Sequence, residues 1–223
     1  MKTFLRVIVM ILLSLTAAMT LMGGAGTSCV AFRAENWESM AALIPVKPIF
    51  QVLVVVSIAA AIYGIYAIVQ LGRGKKGAYK MNLIFLGVGL IASAIQFYFS
   101  LTLRGKTAPN NMRLYITVFT LLVFLLMRLP GIWQRTGFAG RDAGSGPRAA
   151  SGAALIVTGL VTITTPLWAA PTHVMDGYNT ANELLWPLLL GGAVLIIAGG
   201  LVLRSIGEKK AVVAVPSTAE SNS

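Results

Sequence analysis

The chain has 223 residues, 57% of them hydrophobic and 11% charged, with a mean hydropathy of +0.80. That is too apolar for an ordinary soluble domain, about a quarter of whose residues are charged. Eighteen Lys and Arg against seven Asp and Glu give a formal charge of +11. These basic residues sit in short clusters between apolar runs, not on one solvated face interleaved with aromatics, so they read as membrane-orienting charges and not as a nucleic-acid footprint. Cys29 is the single cysteine and His173 the single histidine. An intramolecular disulfide, a thiolate zinc site and a cysteine-ligated iron–sulfur cluster are therefore excluded, and no cofactor is expected.

Residues 1–22 open with Lys2 and Arg6 and continue as an apolar run from Val7. They read as a signal-anchor or first transmembrane helix, with a cleaved signal peptide as the alternative. The small residues GGAGTSC follow. Gly26 stands where a lipoprotein cleavage site wants a branched aliphatic, three positions before Cys29. Residues 23–49 are expected to form an extracytoplasmic loop. Within it, AENWESMAAL suits a short interfacial helix with Trp37 at headgroup level. Pro45 and Pro48 bracket the next helix start, where a missing N–H is tolerated.

Residues 50–203 are expected to form a transmembrane helical bundle. The span 50–71 carries Ser57, Ala60, Ala61, Gly64 and Ala67 at three- and four-residue steps, a small-residue face that lets backbones approach. The connection holding Arg73, Lys75, Lys76 and Lys80 is the strongest orientation signal in the chain. The span 81–103 repeats the device with Gly89, Ser93, Gln96 and Ser100. Gln96 is the most polar side chain near mid-membrane, and its ordinary role there is an interhelical hydrogen bond worth about 0.6 to 2 kcal/mol. The turn TAPNN offers asparagine caps to the span 114–133, whose Leu, Phe, Val and Ile content points to lipid. Arg128 can snorkel from its end. A Gly/Ser/Arg-rich linker over 134–149 leads to the span 150–168, where Pro166 predicts a kink satisfied in part by neighbouring threonine hydroxyls. Residues 169–183 gather His173, Asp176 and Glu183. The last span covers 184–203, and 204–223 reads as a disordered cytoplasmic tail.

The expected fold is therefore an all-α, polytopic transmembrane bundle of six helices, or five if the first segment is removed. Lysine and arginine concentrate at the N-terminus, in the connection 72–80, between Arg128 and Arg148 and in the tail. This places both termini in the cytoplasm of a multi-pass cell-membrane protein. Arg33, Lys47, Arg104, Lys106 and Arg113 fall on the opposite side, and the last three are discordant.

Three functions remain open. The leading expectation is a non-catalytic accessory or scaffold component, because no charged group is legible at mid-depth to drive ion coupling. Its partners would be the lipid bilayer and either another membrane protein or a second copy, through the small-residue faces. The alternative is a transporter or channel for a small neutral or lipophilic solute, lined by Gln96, Ser93, Ser100, Tyr63 and the Pro166 kink. The third is an enzyme at the outer face with His173 as acid–base or ligand and Asp176 and Glu183 as partners, although H-x2-D-x6-E matches no metal or hydrolase signature. No catalytic, cofactor-binding or metal-ligating residue is assigned. Gln96, Ser93, Ser100, His173, Asp176 and Glu183 are the candidates for polar contacts.

Overall fold

The computed structural model describes residues 2–107, 110–129, 131–132, 145–169, 174–175, 177–179, 182 and 184–213. Among these are six α-helices: α1 (Lys2–Arg33), α2 (Lys47–Gly72), α3 (Ala78–Arg104), α4 (Asn110–Leu126), α5 (Ser145–Ala169) and α6 (Leu185–Val213). Two short 3-10 helices, Ala34–Asn36 and Glu38–Val46, join α1 to α2, and Val174–Met175 pairs antiparallel with Tyr178–Asn179. Four stretches are long and apolar enough to cross a membrane: Phe4–Asn36, Glu38–Gly72, Ala78–Arg104 and Leu185–Arg204. Two shorter apolar helices, Asn110–Leu126 and Ser151–Leu167, accompany them.

Helices α1 to α4 pack in sequence, and α4 returns to α1, closing a four-helix arrangement. Cross-helix contacts fix the directions. Gly24 lies against Ser57 and Ile58, and the Gln51 amide donates to the Ala31 carbonyl at 3.0 Å, so α1 and α2 are antiparallel. Gly64 faces Phe85, and Asn82 Nδ2 donates to the Ala67 carbonyl at 2.9 Å, so α2 and α3 are antiparallel too. A Cβ on Gly64 would sit 2.6 Å from the Phe85 ring, so glycine is what allows this approach. The expected small-residue face is buried throughout: Ser57, Ala60, Ala61, Gly64 and Ala67 all turn inward.

Helix α5 packs on α1, and α6 packs on α5. Gly152 meets Gly199 and Gly159 meets Gly192, each pair so close that a Cβ on Gly159 would lie 2.6 Å from the Gly192 carbonyl oxygen. Only 11% of the α6 apolar window is buried.

Three boundaries differ from the sequence reading. Helix α1 does not stop at Met22 but continues through the glycines to Arg33, so 23–33 is helix and not loop. The reason is packing: Gly23 and Gly24 lie against neighbouring helices, where tertiary contacts outweigh the weak intrinsic propensity of glycine. The expected interfacial helix forms further on as 3-10 structure. There Met40 and Leu43 bury against Val30, Ala34, Phe50 and Val54, with Trp37 packed beside them. Helix α6 extends to Val213, so 204–213 is helical rather than disordered. Pro166 does lie inside α5, but the hydroxyls of Thr162, Thr164 and Thr165 bond to carbonyls one turn earlier, not to the carbonyl of Thr162 that the proline frees.

The apolar core is divided. One cluster joins Val9, Met10 and Leu13 with Leu71, Phe85, Leu86 and Phe124, and the other is the Met40–Phe50 cluster above. Between them lies a belt of buried polar side chains.

Candidate functional site

Helix α4 turns Arg113, Thr117, Thr120 and Phe124 inward and leaves Met112, Tyr115, Phe119 and Leu122 exposed. Three of the four inward positions are polar, the reverse of a water-soluble amphipathic helix, as suits a helix whose outer face meets hydrocarbon. Helix α1 answers with Thr16, Thr20, Gly23 and Thr27 at the same steps of four, three and four residues. The two faces meet antiparallel. Thr16 and Thr120 share a hydroxyl hydrogen bond of 2.8 Å, and Gly23 touches Arg113.

The entry of α4 explains how a charged residue comes to lie here. Asn110 Nδ2 donates to Ser100 Oγ at 2.9 Å, so α4 starts alongside a residue four positions before the end of α3. That is about 6 Å below the helix end. Asn110 is thus used between helices and not as the expected cap. One turn deeper, Arg113 meets Gln96.

Arg113 is 3% exposed. Its Nη1 donates to Gln96 Oε1 and its Nη2 to Ser57 Oγ, both at 2.9 Å. Gln96 Nε2 donates in turn to Thr27 Oγ1 at 3.2 Å, and Thr27 donates to the Gly23 carbonyl. One guanidinium therefore links all four helices of the bundle. Gly23 makes room for it, since a Cβ there would lie 2.7 Å from Arg113 Cδ. Gln96 lies eight residues from the end of α3, and Ser57 ten from the start of α2. At 1.5 Å per residue the group sits about 12 to 15 Å below those ends, deep inside the bundle.

No described carboxylate pairs with Arg113, and its Nε has no hydrogen-bond partner. Magnitudes show why the site still forms. Placing an arginine at a helix centre costs about 2.5 to 3.5 kcal/mol on insertion scales. Two hydrogen bonds to a charged donor contribute about 3 to 6 kcal/mol together. The neutral partners are enough to hold the guanidinium, yet its charge is balanced by nothing described and its Nε–H is unused.

Below Arg113 the belt continues. Thr117 Oγ1 donates to the Arg113 carbonyl at 2.7 Å, Thr20 Oγ1 to the Thr16 carbonyl at 2.7 Å, and Gly89 lies near both threonines.

Of the sequence candidates, Gln96 and Ser100 come together with Arg113 and Asn110. Ser93 is buried on the same face but bonds its own helix, at the Leu90 carbonyl. Tyr63 packs with the apolar cluster at the other end, and Pro166 lies on α5, outside the α1–α4 belt, so the expected lining does not converge. His173, Asp176 and Glu183 lie outside the described residues. Among the described residues no three His, Cys, Asp or Glu gather where a metal could bind. The residue the sequence reading missed is Arg113, taken for a loop charge just ahead of the fourth span. It is a charge buried inside the four-helix bundle, where the sequence reading placed none. Its signal was present: the Arg113, Thr117, Thr120 stripe on an otherwise apolar helix, and its discordance with the charge bias.

No known protein family, curated protein or solved structure matches the chain.

Proposed function

We propose that the chain is a multi-pass cell-membrane protein, both termini cytoplasmic, that binds a small solute in the polar belt between α1 and α4 and carries it across the bilayer without chemistry. One observation supports this most: a buried guanidinium, held only by neutral groups, with an unpartnered Nε. An ionisable group inside a membrane bundle is expensive and marks a solute path or relay more often than a packing contact. The polar ladder from Asn110 to Thr120 extends that path along the helices. Flux through the purified protein in liposomes tests it, read by light scattering as vesicles swell in isosmotic glycerol, urea or ammonium acetate. Swelling faster than in protein-free vesicles for at least one solute, reduced by Gln96→Leu, is the expected result. Identical rates for every solute overturn the carrier reading.

A second reading, a non-catalytic accessory subunit, draws on a separate feature. The α6 face bearing Leu190, Val194, Ile197 and Leu201 is exposed along its length, as a helix that meets a partner helix would be. Co-purification in mild detergent tests it. A chain that emerges alone at every detergent concentration counts against it.

A further inference from the structure

A guanidinium carries five N–H donors in one plane. In Arg113 two are used, one on each Nη, by Gln96 and Ser57. The Nε–H is unpartnered, and each Nη keeps one further N–H. Nε–H lies on the side of Nη2, which gives one of its two N–H groups to Ser57 and keeps the other, so the two nitrogens can together offer two donors to the oxygens of a planar carboxylate. The charge sets the valence. A single positive group with no described counter-ion is neutralised by a monoanion, whereas a dianion would leave the same low-dielectric corner with the opposite net charge. Burial limits the size: at 3% exposure the side chain is packed on all sides, so a ligand enters only by displacing its neighbours and must be small.

The approach favours anions as well. Arg104 and Lys106 flank the connection from α3 to α4, with Lys106 exposed, and Arg113 lies one turn into α4 beyond them. Lys47 at the same end is held by Glu35 at 2.6 Å, so its charge is already balanced. A positive surface at this end of the bundle raises the local concentration of anions there.

We infer that the Arg113 corner of the belt is a recognition site for a small monocarboxylate, bound across the Nε edge of the guanidinium. This deepens the solute-binding reading above and rests on it. Gln96 and Ser57 position the fork, and Gly23 leaves the space for the Arg113 stem.

The test uses the full chain in detergent micelles and follows thermal unfolding by tryptophan fluorescence. Sodium acetate is titrated against sodium chloride at equal ionic strength and against acetamide, the neutral isostere. The expected result is a saturable rise in Tm with acetate that acetamide and chloride do not reproduce. Arg113→Gln abolishes the rise. Arg113→Lys keeps the charge but loses one charge-assisted bond, weakening half-saturation by about tenfold. Acetamide matching acetate, chloride matching acetate, or a rise unchanged in Arg113→Lys overturns the site. If Arg113→Gln fails to fold, the wild-type ligand comparison and the lysine variant still decide. Acetate binding without flux in liposomes overturns the carrier reading alone. Flux of glycerol or urea without acetate binding overturns this inference alone.

Discussion

Arg113 and Gln96 share a hydrogen bond of 2.9 Å at a depth where neither side chain reaches water, and Gln96 hands the contact on to Thr27. The amide accepts from the charged group through its oxygen and donates through its nitrogen, so its orientation is fixed at both ends. Leucine at this position keeps the volume but gives the guanidinium no acceptor. We expect Gln96→Leu to lower stability in mixed-micelle denaturation by about 2 to 3 kcal/mol, since it removes a bond to a buried charge. Ser57→Ala removes the other bond, leaves a smaller gap and should cost about 1.5 kcal/mol. A Gln96→Leu loss below that of Ser57→Ala would mean the amide is not the principal support.

Glycine positions along α1 provide a matched pair. At Gly23 a Cβ meets Arg113 Cδ at 2.7 Å, whereas at Gly26 it meets nothing within 4 Å. Gly23→Ala should therefore destabilise the bundle by about 1 to 3 kcal/mol through overpacking. Gly26→Ala should be neutral or stabilising by up to about 1 kcal/mol, the helix-propensity difference. Equal effects at both positions would contradict the close approach of α1 to Arg113.

The α5–α6 hairpin gives a similar contrast. Methyl groups at Gly159 or Gly192 run into the facing backbone, while at Gly191 and Gly200 they enter open space. We expect Gly159→Ala and Gly192→Ala to reduce protease resistance of the hairpin markedly, and Gly191→Ala and Gly200→Ala to leave it unchanged. Cleavage rates in limited proteolysis of the detergent-solubilised protein measure this directly.

Orientation can be read with cysteine chemistry. With Cys29 replaced by serine, a cysteine introduced at Gly74 should react with a membrane-impermeant maleimide only after cells are opened. One at Lys106 should react in intact cells. Labelling in the reverse order would invert the proposed topology.

What the sequence made legible was periodicity. The small-residue faces at Ser57–Ala67 and Gly89–Ser100 are read from spacing alone, because close packing of helices in lipid demands small side chains at fixed steps. The buried charge left a signal in the polar stripe of α4 but was passed over, because charge in a sequence is normally taken to mark the end of a span. Whether Arg113 lies outside or inside depends on where α4 begins relative to α3, and that is set by Asn110 reaching Ser100, a contact between elements. The α1 boundary was lost for the same reason. Gly23 and Gly24 look like a break in one dimension and become packing surface once other helices lie against them.

The paired glycines of α5 and α6 have a mechanical consequence. Gly152 opposes Gly199 and Gly159 opposes Gly192, so both contacts are in step only in this one alignment. Sliding either helix by a turn would bring isoleucine or leucine onto a carbonyl and force the pair apart. The two helices therefore cannot ratchet past each other, and a displacement of α6 along its axis carries α5 with it.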